Sequence, residues 1–399
     1  MKKLLLLGGS RYLLPAIRAA HELGVYVITA DYLPNNFAHK FADEYCNVSI
    51  IDKEAVLSLA AEHRVDGILS YATDPGVTSA AYTAEKLGLP TSPYESVKLL
   101  QNKARFRAFL RENGFHTPYS KGYRCTETAL ADIGQFRFPL IVKPVDSAGS
   151  KGVRRVETRE ELSSAIEYAL RYSLNKEFII EEFIEKQGFS TDTDSFSVND
   201  ELVFCSFDDQ WFDADAENPY TPAGYSWPSS MPVDAQKELR SEIQRLIRLL
   251  HMGTTIYNIE TRVGTDGKAY IMECTPRAGG NRLAEILKLA SGQDLIMSAV
   301  KAALGMPVPQ LSDPVYQGHW GEIILHSNEN GIFRELYVEE TFRERCVAEV
   351  DLWVKPGDEV HCFNGANETI GTIVLHCNTQ QELKQSIASI KDLVSVRLR

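Results

Sequence analysis

The chain has 399 residues, 44% of them hydrophobic and 24% charged, the make-up of an ordinary globular protein long enough for two or three hydrophobic cores. A formal charge of -12 and a pI near 5.3 exclude a general nucleic-acid or anionic-membrane surface, since those need basic stripes, and leave room only for a local basic pocket. Seven cysteines, odd in number and without a CxxC pair, indicate neither zinc nor a disulfide framework and fit reduced thiols in a cytoplasmic protein.

The opening MKKLLLLGG has the lysines of a signal peptide but only four leucines before Gly8 and Gly9, so it reads as a buried first strand. No run approaches the roughly 20 apolar residues of a membrane span. Up to residue 95, apolar runs at 4–7, 25–30 and 67–71 alternate with helical stretches near 12–23, 53–63 and 76–87. That alternation predicts βαβ units and a parallel sheet. Gly8, Gly9 and Ser10 form a tight turn into a helix, where backbone N–H groups suit an anion or a substrate. No third glycine follows before Gly24, which argues against a dinucleotide site and a nicotinamide-dependent oxidoreductase.

Residues 94–114 read as one amphipathic helix that stops at Asn113-Gly114 with Pro118 beyond. Lys103 lies on it and by itself is an ordinary solvated lysine. Lys143 sits inside an apolar strand, so it either faces an anion or reaches water at a strand end. Asp146 to Gly152 then makes a small-residue loop, in which Ser147, Gly149, Ser150 and Gly152 let backbone amides close on phosphate oxygens and Lys151 adds charge. The pattern GxxxxGK[ST] is absent. After a helix at 159–173, residues 177–186 read as a strand running into an acidic segment, Glu181-Glu182-Phe183-Ile184. That segment either offers backbone groups to a flat base and carboxylates to a ribose or amino group, or is an edge strand defended by charge.

Residues 190–207 read as a hairpin around Asn199-Asp200, and 208–232 as an aperiodic, aromatic-rich loop of the kind that closes over substrates. A helix at 233–252 leads to a second hairpin at 254–282. With Asp266-Gly267 as a two-residue turn, every cross-strand pair sums to 533, which sets Glu260 opposite Glu273. Two carboxylates on Cβ atoms about 5 Å apart repel unless a proton or cation lies between them. They are either solvated on an open face or a Mg²⁺ site. Pro276, Arg277, Gly279 and Gly280 follow at once, and Arg277 suits a phosphate or carboxylate as well as a surface ion pair. Beyond the helical stretch 281–304 the pattern is β-rich from about 310, with a turn at Asn364-Gly365 and a short helix near 379–392. Nothing there has catalytic spacing.

In order, the pieces IVKPVDSAGSKGV, IIEEFIE and YNIETRVGTDGKAYIMECTPRAGG resemble the ATP-grasp ligases over about residues 1–305. The likeness extends to L-amino-acid ligase, carbamoyl-phosphate-synthetase and biotin-carboxylase types, and the tail KPGDEV with NETIGTIVLH looks weakly like L-amino-acid ligases. The resemblance implies a mixed α/β and α+β architecture. It comprises a parallel-sheet preATP-grasp domain at 1–95, an ATP-grasp domain at 96–305 with a small ATP lobe at about 115–185 and a larger lobe at 186–305, and a β-rich C-terminal subdomain at 306–399. It further implies ATP with Mg²⁺, or Mn²⁺ in its place, and an ADP-forming union of a small-molecule carboxylate, activated as an acyl phosphate, with an amine. Carried over, Lys103 and Lys143 would contact ATP phosphates and the loop Ser147 to Gly152 would close over them. Glu181 to Ile184 would frame the adenine, Glu260 and Glu273 would hold the metal, and Arg277 would steady the transferred group. The family often has Asn where Thr275 stands, and often a ribose-binding glutamate where Gly188 stands, with Glu185 as the nearest substitute. A bicarbonate-using relative, a nucleotide-binding regulatory protein without turnover and a homodimeric assembly are the remaining expectations.

Overall fold

In the computed structural model, which describes residues 1–399, the strands form five sheets. The first is parallel, of order β3-β2-β1-β4, from β1 (Lys3–Leu7), β2 (Tyr26–Ala30), β3 (Glu44–Cys46) and β4 (Gly67–Leu69). Leu4, Leu5, Leu6 and Leu7 are all fully buried, as an unbroken apolar run requires when helices cover both faces. Two of the covering helices are Leu14–Glu22 and Asp74–Leu87; the latter opens on Asp74-Pro75 and ends at Gly88, whose φ of +66° accommodates the left-handed cap.

Residues 94–114 form two helices, Tyr94–Leu100 and Lys103–Glu112, rather than one. Asn102 interrupts the amphipathic pattern because its side chain accepts from the Arg105 N–H, capping a new helix instead of continuing the old. The break puts Lys103 at the first position of the second helix. The next sheet is antiparallel, order β5-β8-β6-β7, from β5 (Ser120–Tyr123), β6 (Leu140–Pro144), β7 (Arg154–Val156) and β8 (Phe178–Glu182).

The hairpin of β9 (Thr191–Val198) and β10 (Glu201–Cys205) turns at Asn199 and Asp200, both with positive φ, as the sequence indicated. The stretch 208–232 is not an aperiodic loop: it contains β11 (Asp209–Phe212) and β12 (Pro222–Trp227). Then come β13 (Thr255–Val263), β14 (Ala269–Thr275), β15 (His319–Leu325), β16 (Gly331–Val338), β17 (Val347–Leu352), β18 (Glu359–Val360), β19 (Gly371–Cys377) and β20 (Val394–Leu398). β12 pairs with β15, nearly a hundred residues later, in the sheet β11-β12-β15-β19-β17. A strand whose partner is that distant carries no local turn signal, and β12 is buried over four consecutive residues, so it shows no alternation either. The C-terminal strands therefore share a sheet with 209–227.

The sheet of order β10-β9-β13-β14 carries the acidic hairpin. Its turn is longer than two residues: the Gly267 N–H reaches the Gly264 carbonyl and only Gly267 takes positive φ, so pairs near the turn sum to 532. A bulge between Glu260 and Thr261, leaving Met272 as the extra residue, restores the 533 register. Glu260 does face Glu273.

Candidate functional site

β13 is the spine of the site. β9 pairs on one side and β14 on the other, so the register creates two cross-strand rows on one face, Asp192–Glu260–Glu273 and Asp194–Asn258–Thr275. The sequence showed two carboxylates; the fold adds Asp192 and Asp194. Burial first, and then neighbouring Glu260, pushes the Asp192 carboxyl up to about 7. Burial likewise lifts Asp194 to about 7, although the Gly279 N–H donates to its Oδ1 at 2.7 Å. Its Oδ2 has no partner. Glu260 leans on Arg262, with Nη2 3.1 Å from its Oε1.

Cations converge on the other end of the row. The Lys103 ammonium lies 3.3 Å from Glu273 Oε1 and donates to the Ser147 carbonyl at 2.9 Å. Burial would raise the Glu273 carboxyl, but Lys103, Lys143 and Arg277 outweigh it and hold the group below the usual carboxylate range. Lys143 does face an anion, one that belongs to the protein: its Nζ is 3.0 Å from Glu181 Oε2. Arg107 Nε donates to the other oxygen of Glu181 at 2.9 Å, and both residues are 2% exposed. The Glu181 carboxylate is thus engaged by Arg107 and Lys143 and is not free for a ribose or an amino group. Burial raises it, yet the two cations together pull it down to about 2.

Arg277 is half of an inter-sheet clamp. Its Nε and Nη2 each donate at 2.9 Å to one oxygen of Asp74, the first residue of the helix Asp74–Leu87 that packs in the N-terminal sheet. Sequence inspection missed Asp74, because an aspartate before proline at a helix start is explained by capping alone. The loop Ser147 to Gly152 has positive φ at Gly149, Ser150 and Gly152, and Ser150 Oγ donates to the Tyr220 carbonyl at 3.0 Å. Lys151 is exposed at its tip and touches none of the row.

Glu182 pairs outward with Arg137 and Glu185 with Arg155, while the Ile184 carbonyl accepts from Arg262 at 3.4 Å. Glu182, Phe183, Ile184 and Glu185 line a cleft of about 580 Å³ with Phe115 and Tyr270. The acid row lies outside that cleft.

A family model for the ATP-grasp domain matches residues 136–285, which hold Lys143, the small-residue loop, the EEFI segment, both rows and Arg277. Residues 136–285 carry an ATP-grasp domain. It is 28% identical over 319 residues to a formate-dependent phosphoribosylglycinamide formyltransferase of Bacteroides thetaiotaomicron, across 77% of this chain and 79% of that one. It is 23% identical over 310 residues to the C-terminal section of the carbamoyl phosphate synthase large chain of Aquifex aeolicus, across 76% of this chain and 56% of the other. Among solved structures, the L-amino acid ligase from Bacillus licheniformis superposes with a TM-score of 0.82 at 20% identity, covering 100% of this chain and 99% of that one. At that identity the match speaks for the fold. Against the ATP-grasp pattern, the amide that Thr275 lacks stands directly across from it on Asn258. All seven cysteines are free, and no helix is long and apolar enough to cross a membrane.

Proposed function

We propose that this ATP-grasp protein is an ADP-forming ligase that activates a small-molecule carboxylate as an acyl phosphate and joins it to an amine. The observation that carries the reading is the row Asp192–Glu260–Glu273 capped by Lys103, Lys143 and Arg277. Phosphoryl transfer asks for alignment and charge neutralisation, and this set supplies both without a nucleophilic side chain. A half-buried like-charged row, with the fully buried Asp194 beside it leaving one oxygen unpartnered, fits a divalent cation with phosphate. Glu260 and Glu273 would hold Mg²⁺, or Mn²⁺ in its place, which neutralises phosphate oxygens when bound.

The protein's own groups do the rest. Lys103 would turn from Glu273 to the phosphate oxygens, and Lys143 would meet them while still paired with Glu181. Amides of the loop Ser147 to Gly152 would close over the phosphates, with Lys151 adding charge from the tip. Glu182, Phe183 and Ile184 would frame the base through their backbone and the cleft they line, while Glu181 holds Lys143 in place. Arg277 would steady the transferred group, oriented by Asp74.

The test is hydroxylamine trapping: with Mg-ATP and a pool of small carboxylates, an acyl phosphate yields a hydroxamate in step with ADP. Hydroxamate formation that Glu260→Ala abolishes supports the ligase. ADP formed with bicarbonate alone and no hydroxamate supports the second reading, which the carbamoyl phosphate synthase match favours. ATP binding without ADP under any pool would identify a regulatory protein.

A further inference from the structure

We propose that a buried acidic recess beside the phosphoryl-transfer row, built from Asp192, Asp208 and Glu322, binds the ammonium or guanidinium group of a small-molecule substrate. The inference rests on the ligase reading and names the class of compound that reading leaves open.

Glu322 carries the argument. It is fully buried on β15, directly across from Tyr225 of β12, and neither of its carboxylate oxygens has a hydrogen-bond partner. Asp208 is also fully buried; one oxygen accepts from the Asp192 N–H at 2.8 Å and the other has no partner. Asp192 is half-buried, and its carboxylate accepts only from the Tyr225 hydroxyl, at 3.5 Å. None of the three forms an ion pair with a lysine or arginine. The arginines nearby are taken: Arg277 is clamped by Asp74, and Arg282 is shared by Glu285 and Glu349. A protein that buries carboxylates ordinarily pairs each one, because an unpaired buried charge is among the costliest groups to hold. Two buried exceptions, Asp208 and Glu322, with the half-buried Asp192 beside them, call for a cation from outside the chain.

The geometry favours an organic cation over a metal ion. Donor atoms converge within 4.8 Å at Glu44, Cys46 and His63, and at Cys346, Cys377 and Glu382, but the recess is no such cluster. Carboxylates spread more widely than one coordination sphere suit a planar or tetrahedral nitrogen group with several N–H donors. Tyr225, buried across from Glu322, reaches Asp192 with its hydroxyl and so links the two ends of the recess. A surface pocket lined by Tyr12, Tyr71, Gly279, Arg282 and Glu285 borders the recess, since Tyr12 and Arg282 both neighbour Glu322. At the far end Asp192 is the cross-strand neighbour of Glu260, so a molecule anchored here extends to the reacting end of the row.

The experiment is titration calorimetry on the full chain saturated with Mg-ADP, using L-arginine, L-lysine and putrescine as probes and uncharged L-norleucine as control. Binding of at least one cationic probe is expected, with norleucine silent. Glu322→Gln and, independently, Asp208→Asn should weaken that binding about 10- to 100-fold with Mg-ADP affinity unchanged. Silence of all three cations on a protein that binds Mg-ADP overturns the recess and leaves the ligase reading intact. Equal binding by wild type and both variants also overturns it, as does binding of CaCl2 alone that Glu322→Gln abolishes. Absence of Mg-ADP binding overturns the ligase reading and the assignment with it.

Discussion

Arg277 and Asp74, 203 positions apart, meet in a two-point ion pair that ties the end of the acidic hairpin to the first helix of the segment after β4. A fork-to-fork pair fixes direction as well as distance, so Asp74 orients the guanidinium toward the acid row. Asp74→Asn keeps the shape of the side chain but leaves the arginine loosely held. Turnover should fall about 100-fold while the Mg-ATP dissociation constant stays as in the wild type, since misplacement of a reacting partner costs rate rather than nucleotide affinity. Steady-state kinetics beside calorimetry of ATP separates the two; a parallel loss of ATP affinity would place Asp74 in nucleotide binding instead.

Glu181 bridges Arg107 and Lys143 in the interior, and removing its charge strands two buried cations. Glu181→Gln should lower the unfolding free energy by about 3–5 kcal/mol at pH 7. Because its folded carboxyl is held down at about 2, its stabilising contribution is complete above the ordinary value of about 4.3 and fades as pH falls from there toward 2. Urea unfolding of both proteins at pH 7 and again near pH 3 should therefore show the gap narrowing. A gap that widens in acid would contradict the triad.

Gly279 lies where a side chain cannot fit. A Cβ there would come within 2.5 Å of Leu283, 2.8 Å of Asn258 and 3.0 Å of Asp194. Gly279→Ala should break the Asp194 contact with the Gly279 N–H and destabilise the protein by about 1–3 kcal/mol, with turnover lost in proportion to the shift of Arg277 two residues away. Thermal unfolding and ADP release read the two effects; an unchanged melting temperature would show that the turn relaxes freely.

The sequence carried the parallel sheet and the glutamate pair because both rest on local pattern: an apolar run between turn signals, and an Asp-Gly turn near enough to set register. Even there, the register at Glu260 and Glu273 came out right through two offsetting features, a longer turn and a bulge at Met272, that the sequence did not show. Residues 208–232 looked like a lid because β12 finds its partner only at β15. Asp192 was hidden for a related reason: β9 was legible as half of a hairpin with β10, but its second neighbour, β13, lies some sixty residues on. The sequence left Lys143 facing either an anion or water, and only the fold reveals Glu181 as its partner. Asp74 and Arg107 carry no pattern of their own, since both are ordinary helix residues until the sheets assemble around them.

The measurement that bears most directly on the account is ADP release from Mg-ATP with carboxylates and amines supplied separately and together, in wild type and in Glu273→Ala. Glu273 contributes to the acid row without packing the core, so the variant should fold, as circular dichroism would show, while losing about 100-fold or more in turnover. The account predicts ADP and phosphate only when carboxylate and amine are both present, and neither from the variant. ADP release that is indifferent to added amine and carboxylate, or that survives in Glu273→Ala, would contradict it.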